Sequence, residues 1–452
     1  MPALSSRRQF VKGSLALSSI LIVPGHVLGK GDDLPPSERA NLAMVGLGNR
    51  ANALSSMSAG HNLVALCDAN QNAAFLPKAK ARAPKAPFFD DYRVMLDKMG
   101  KDIDGVIVAT PNHLHYPIAM ACMMAGKNVY VEKPMAITPW ELRGMAKASQ
   151  KYKIVSQMGN QGHSTEALLI CKEWIGTGLL GKVNEVHVWS KRTGIAKVPE
   201  VKENPVPEGL NWDLWLGPAK ERPFSPAWIK WRSWWDFGGG VLYDIGCHTI
   251  DAPFYALDLG APSMIKAEPS NPSSPCPPQA STIEYNFPAK GDRGPVKLFW
   301  YDGRRIPPRP KGLEPDRAFD QMAAEGGCYI SGEKGSLFMP GMRPESCRLI
   351  PESWMQEVAK AKQLPTKSAE RQGLEKAGHL ANWVKAFKTG GKACSDFAVY
   401  AAPLAEIVCL GTIALRSKEL IHWDAEHIGI PNNPEAEQLL RPHVRKGWEY
   451  EA

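Results

Sequence analysis

The chain has 452 residues, 44% hydrophobic and 22% charged, the balance of a soluble globular protein with room for two or three domains. Its formal net charge of +8 is mild for that length, and no long basic run is present, so the sequence carries no nucleic-acid footprint. Nine scattered cysteines without a CxxC imply neither a disulfide framework nor a zinc site, and no metal centre is expected.

Residues 1–30 read as an export signal. A basic start precedes an apolar run from Leu15 to Val23, too short to span a bilayer, and a small residue follows at Gly29. Arg7 and Arg8, ahead of Phe10 and Lys12, are similar to a twin-arginine signal, which carries folded proteins into the periplasm. The first cysteine is Cys67, so no lipid-anchor cysteine follows the apolar run and no membrane anchor is expected. Residues 31–40 are a polar linker.

The strand "NLAMV" then runs into Gly46 and Gly48 and on into a helix with Ala51 at the third small position. The strand "NLVALCD" ends in Asp68, and a helical stretch follows near residues 70–82. "DGVIVATPNHLH" is a further strand and loop, "HYPIAMACMMAG" a helix, "NVYV" a strand and "TPWELRGMAKASQK" a helix. Strands alternating with helices predict a parallel sheet covered on both faces, forming a dinucleotide-binding domain over residues 41–155. Cys67 and Cys122 lie in apolar stretches and are expected in its core.

Beyond that point "KVNEVHVWS", "STIEYNF" and "PVKLFWY" alternate apolar with polar residues. They predict a mostly antiparallel sheet within an α/β domain over 156–424, followed by a tail at 425–452. Helices are expected near 378–388 and 397–416. "PSNPSSPCPP" reads as a surface loop, and residues 303–370, rich in Pro, Gly and charge, as an irregular excursion.

Gly-x-Gly-x-x-Ala between a strand and a helix, with an acid 22 residues after Gly46, is the setting a dinucleotide requires. Gly46 permits the tight turn, and Gly48 lets the backbone approach a pyrophosphate at the helix N-terminus, alongside Asn49, Arg50 and Ala51. Asp68 can accept from a ribose 2′-hydroxyl and would repel a 2′-phosphate, which favours NAD; Arg50 and Asn70 leave NADP open. "TPNHLH" and "VEKP" fall at strand ends, where ligands bind in such sheets. Lys133, held against Glu132 and fixed by Pro134, then stands beside the nicotinamide, able to donate or accept a proton; a cis Lys133–Pro134 bond is one way to aim it.

Taken together and in this order, "GLGNRA", "TPNHLH", "VEKP" and "GGGVLYDIGCHTID" resemble the Gfo/Idh/MocA oxidoreductases over residues 41–424, and specifically their exported, twin-arginine subgroup. The resemblance implies a second motif facing the nicotinamide, carried here by Asp244 and His248. Four residues apart, these share a helix face. His248 is then the candidate acid/base on a substrate hydroxyl, with Asp244 either orienting it and favouring its charged form or accepting a hydrogen bond from substrate, and Asp251 structural. It also implies that Asn112, His115 and Glu132 line the nicotinamide side, with Asn160 and Gln161 joining them, and that the protein forms a homo-oligomer, a dimer or tetramer.

Seven of the fourteen tryptophans lie between Trp189 and Trp235. A core and a domain interface claim most of them, and one or two, with Trp231 foremost, are expected to touch substrate, together with Arg232. The expected activity is oxidation of a hydroxyl of a sugar, glycoside or polyol by hydride transfer to a tightly held nicotinamide. The competing readings are a redox-neutral NAD-dependent glycosidase or epimerase on the same scaffold, and a non-enzymatic NAD-binding protein.

Overall fold

Six parallel strands make the first sheet: β1 (Asn41–Val45), β2 (Asn62–Cys67), β3 (Phe88–Phe89), β4 (Gly105–Val108), β5 (Asn128–Val131) and β6 (Ser156–Met158), in the spatial order β3-β2-β1-β4-β5-β6. The computed structural model describes residues 34–451 except 36, 273, 373–377 and 418; the export-signal reading falls outside these residues. β1 and β4 are almost wholly buried, because helices cover both faces and every side chain of a strand must then be apolar. The crossovers are α1 (Asn49–Met57), α2 (Leu76–Arg82), α3 (Tyr92–Met99), α4 (His115–Met124) and α5 (Pro139–Lys151). Between β1 and β4 the strand order reverses, which opens a crevice beyond their carboxyl ends. Cys67 and Cys122 are buried in this domain's core.

Helix α6 (Glu166–Gly176) leads to the second sheet. Its strands are β7 (Val183–Trp189), β8 (Met264–Pro269), β9 (Ser281–Phe287), β10 (Val296–Tyr301), β11 (Gly327–Gly332), β12 (Gly335–Pro340), β13 (Arg348–Ile350) and β14 (Ile421–His422). They lie in the order β13-β12-β11-β7-β10-β9-β8-β14; β7 and β10 are parallel, and the other described pairs are antiparallel. β9 shows why one face is a core: Ile283, Tyr285 and Phe287 are buried while their neighbours are half-exposed. Against that face pack α7 (Gly240–Thr249), α8 (Asp251–Ala256) and α10 (Ala402–Ser417), while α9 (His379–Thr389) returns to the first domain. The stretch Phe397–Ser417 is long and apolar enough to cross a membrane, but most of it is buried inside the protein, as a core helix.

Two expectations need correction. Residues 303–370 are no mere excursion, because β11, β12 and β13 are cut from them. Their apolar residues are split by glycine turns, which hid the strands. Nor is "PSNPSSPCPP" only surface. Cys276, Pro277 and Pro278 are buried, and Pro277 lies beneath Gly240, whose φ is +68° and whose added Cβ would sit 2.4 Å from the proline. That proline floor and the left-handed glycine set the angle at which α7 leaves the tryptophan-rich segment.

Candidate active site

A cleft of about 630 Å³ lies between the domains, at the carboxyl ends of β1, β2, β4 and β5, within the usual range for a small-molecule or cofactor site. At one end stands the glycine turn. Gly46 has φ +91°, and an added Cβ would lie 2.6 Å from the Ala109 carbonyl carbon, so the turn is pressed directly against the end of β4. At Gly48 an added Cβ would meet nothing within 4 Å: it would project into open space in front of α1. No side chain caps α1, and Ala51 N–H turns back to the Gly48 carbonyl, which leaves the Asn49 and Arg50 N–H groups at the open helix end. That is the donor set and the room a diphosphate needs. Ala51 lies fully buried, where a small residue lets the helix sit close to the sheet.

Asp68, at the end of β2, receives Leu47 N–H at 2.6 Å and Asn70 N–H at 2.8 Å, one on each carboxylate oxygen. Burial pushes its carboxyl up, and the two N–H donors pull it back. It braces the glycine turn while facing the cleft. Arg50 turns the other way and lies 2.9 Å from Glu132. The cation that left NADP open is thus committed at the opposite end of the cleft.

At that opposite end three loops meet. Asn112, buried after β4, lines the cleft. His115 opens α4 with one ring nitrogen 2.8 Å from the Pro134 carbonyl and the other 3.0 Å from the Thr110 carbonyl. It lines the wall with each nitrogen turned to a backbone carbonyl of the β4 or β5 loop, and a neutral ring donates to one of the two. Glu132 does not pair with Lys133. Neighbours at a strand end point to opposite sides; Glu132 accepts from Gln161 Nε2 at 2.9 Å and meets Arg50. Gln161 also donates to the Tyr130 hydroxyl at 2.8 Å. Asn160 lies deeper, giving its amide to Asp251 at 3.0 Å. Asp251 also accepts from His163 and Tyr400, and is a buried structural hub.

Lys133 lies two residues beyond the end of β5, after Glu132, and its bond to Pro134 is cis. Its ammonium crosses the cleft to α7 and donates to Asp244 Oδ1 at 3.0 Å and to the Asp244 backbone carbonyl. Two further cations reach the same carboxylate: Arg192 at 2.9 Å and Arg232 at 3.3 Å, the latter stacked 4.0 Å over Trp231. Burial alone would raise Asp244, but Lys133, then Arg232 and Arg192, hold it down at about 2.

His248 stands one turn further along α7, buried. Asp244 faces the three cations instead of the imidazole, so the charged histidine expected from their spacing is not found. Burial first, then Lys133 and Arg343, lower His248 well below its ordinary value, and the ring is neutral. Arg343 donates to Nε2 at 3.2 Å, which places the ring proton on Nδ1, an atom without a partner among the described residues. The cleft therefore holds a neutral histidine whose Nε2 lone pair faces it, next to an amine anchored on a carboxylate.

The tryptophans divide between cores and the cleft wall. Trp215 and Trp234 join Phe237 and Cys276 in a small core, Trp189 belongs to another, and Trp231 and Trp215 line the cleft. Sequence reasoning missed Arg192, Arg343 and Trp448 on the cleft wall. Arg343 sits in the turn between β12 and β13 and carries no local signal. Trp448 belongs to a strap over residues 445–450. Arg445 binds Asp213 and the Gly217 carbonyl, the Tyr450 hydroxyl lies 3.0 Å from that of Tyr92, and Arg93 stacks 4.7 Å over Trp448.

Two family models match the chain: an oxidoreductase family's NAD-binding Rossmann fold over residues 40–160, and that family's C-terminal alpha/beta domain over 169–279. The scyllo-inositol 2-dehydrogenase (NADP(+)) of Bacillus subtilis is 27% identical over 57% of this chain and 59% of its own. The D-glucoside 3-dehydrogenase of Escherichia coli is 29% identical over 45% and 49%. The chain thus spans about half the length of these curated relatives. Among solved structures, the WlbA dehydrogenase of Bordetella pertussis, crystallised with NADH and UDP-GlcNAcA, superposes with a TM-score of 0.58 at 17% identity, covering 86% of this chain and 100% of that one; it shares the fold. With its Rossmann domain, its mostly antiparallel second sheet and both family models matched in order, this chain belongs to the Gfo/Idh/MocA oxidoreductases.

Proposed function

We propose that this protein is an NAD-dependent dehydrogenase acting on a hydroxyl of a sugar, glycoside or related polyol. The observation that carries the reading is the meeting of Lys133, from the Rossmann domain, with Asp244 and His248, from the second domain, at one end of the cleft. Bound nicotinamide supplies the hydride acceptor. Lys133 Nζ, with three protons and Asp244 to hold it, donates a hydrogen bond to the carbinol oxygen and stabilises charge developing there. His248 Nε2 takes the hydroxyl proton. Trp231 offers a flat apolar face for a sugar ring. Gly46, Gly48, Asn49, Arg50 and Asp68 hold the dinucleotide; with Arg50 on Glu132 and a carboxylate at Asp68, NAD is preferred over NADP. The names of the inositol and glucoside dehydrogenases support a carbohydrate substrate.

The finer features belong to the same proposal. Arg7, Arg8 and the apolar run to Val23 support export by the twin-arginine route and work in the periplasm, with a linker over 31–40 ahead of two domains; β6 carries the first past the expected boundary at 155, to Met158, and the second runs on to 424. On the second sheet, Phe299 and Tyr301 stack on the buried His187, and the half-exposed rings of the first two suit assembly into a dimer or tetramer. The test is NADH formation by the purified protein with a panel of sugars and polyols. No reduction of NAD or NADP by any member counts against the reading.

A further inference from the structure

The chemistry end of the cleft holds more positive charge than it balances. Lys133, Arg192 and Arg232 share one carboxylate, Asp244. Arg50 already occupies Glu132. Arg343 forms no ion pair among the described residues, and its guanidinium rests instead on the Gln161 amide oxygen at 3.1 Å and on His248 Nε2 at 3.2 Å. The surplus comes from three separate segments of the second domain: the residues after β7, the tryptophan-rich stretch, and the β12–β13 turn. The diphosphate seat before α1 lies at the other end, with Gly48 and Asp68. Arg192, Arg232 and Arg343 are exposed along the cleft wall, open to an incoming anion, and a guanidinium fork matches a carboxylate or phosphate.

Resting on the dehydrogenase reading above, we infer that the substrate is an anionic sugar whose carboxylate or phosphate is taken by Arg343 together with Arg192 and Arg232. Its arrival draws Arg343 off His248. In the free cleft the guanidinium covers the lone pair that must take the hydroxyl proton, and its charge disfavours the imidazolium that results. Once Arg343 turns to the substrate anion, Nε2 is free and a negative charge stands nearby to offset Lys133. A neutral sugar leaves the base covered. Recognition of the anion and activation of the base are then one movement of one side chain.

Binding is read first on protein loaded with NADH, which cannot take a hydride. Glucuronate, galacturonate and glucose 6-phosphate are titrated against glucose and galactose, and NADH formation is then followed with NAD. At least one anionic sugar should bind about tenfold or more tightly than its neutral counterpart, as one charge-assisted contact provides. It should also show the higher kcat. That ratio should collapse toward parity in Arg343→Ala and return in part in Arg343→Lys. Preference for a uronate or for the phosphate assigns the anion. The inference is overturned if no anionic sugar is preferred, or if the preference survives Arg343→Ala. Tight, Arg343-dependent binding without NADH formation would keep the anion site and remove the dehydrogenase reading instead.

Discussion

Lys133 and Asp244 belong to different domains, 111 residues apart, and their side chains meet at 3.0 Å. The pair is both a hinge pin and a chemical device: it ties β5 to α7 and fixes an amine where a substrate oxygen would arrive. Lys133→Met should cut turnover by about 10²-fold or more, the lower part of the range for a proton-handling group, while NAD still binds. Steady-state kinetics and a cofactor fluorescence titration separate the two effects. Retained turnover would remove Lys133 from the chemistry.

His248→Ala is expected to lower kcat/KM by roughly 10²–10⁴-fold. The pH profile carries a sharper expectation. A histidine whose value is depressed by burial and by Lys133 and Arg343 stays deprotonated as pH falls through its ordinary range. Asp244, at about 2, stays ionised over the same range. The acid limb of kcat/KM for the free protein should therefore lie below the usual histidine midpoint of about 6.5. A limb at or above that value would assign it to another group.

Gly46 and Gly48 should respond differently to the same added methyl. At Gly46 a Cβ strikes the β4 loop in a left-handed backbone, so Gly46→Ala should destabilise the protein by about 1–3 kcal/mol. At Gly48 the methyl enters open space. Gly48→Ala should leave the melting temperature unchanged and weaken NAD binding by about tenfold or more, since only the cofactor's approach is blocked. Equal losses of stability in the two variants would contradict this division.

Asp68→Ala should narrow the preference for NAD over NADP chiefly by losing NAD affinity. The repelling carboxylate goes, but Arg50 remains on Glu132 and supplies no contact to a 2′-phosphate. The substitution also orphans Leu47 N–H and Asn70 N–H, which costs about 1–3 kcal/mol of stability where they are buried. Titration with both dinucleotides checks this; a large gain in NADP affinity would count against it.

The first domain could be read almost completely from sequence, because each strand is a continuous apolar run and the glycine turn and Asp68 lie within 22 residues of each other. Only its short edge strands β3 and β6 and the helix α3 went unread. The second domain could be read only where alternation was clean, as in β9. β11 to β13 hid among glycines and charges. In the site, local motifs pointed to Lys133, Asp244 and His248 but misjudged their partners. Glu132 was matched to its sequence neighbour and Asp244 to its helix neighbour, whereas the structure gives both to side chains from other segments. Long-range pairs such as Arg343 with His248, 95 residues apart, leave no trace in any local pattern.

The strap over residues 445–450 has a kinetic consequence. Tyr450 meets Tyr92 across 358 residues of chain, with the whole second sheet in between. The Rossmann domain can fold early from local pieces, but Trp448 can reach the cleft only after that sheet is complete. Dinucleotide admitted before this step finds an open trough; dinucleotide held after it must wait for a local detachment of a few side chains. Cofactor retention should therefore follow the strap's own opening rate, and Trp448→Ala should speed NADH release while altering its equilibrium affinity much less. Under the export proposed above, into a compartment poor in free nicotinamide, such a latch would let one loaded molecule outlast many turnovers, and denaturing the wild type after purification should release near-stoichiometric NAD(H).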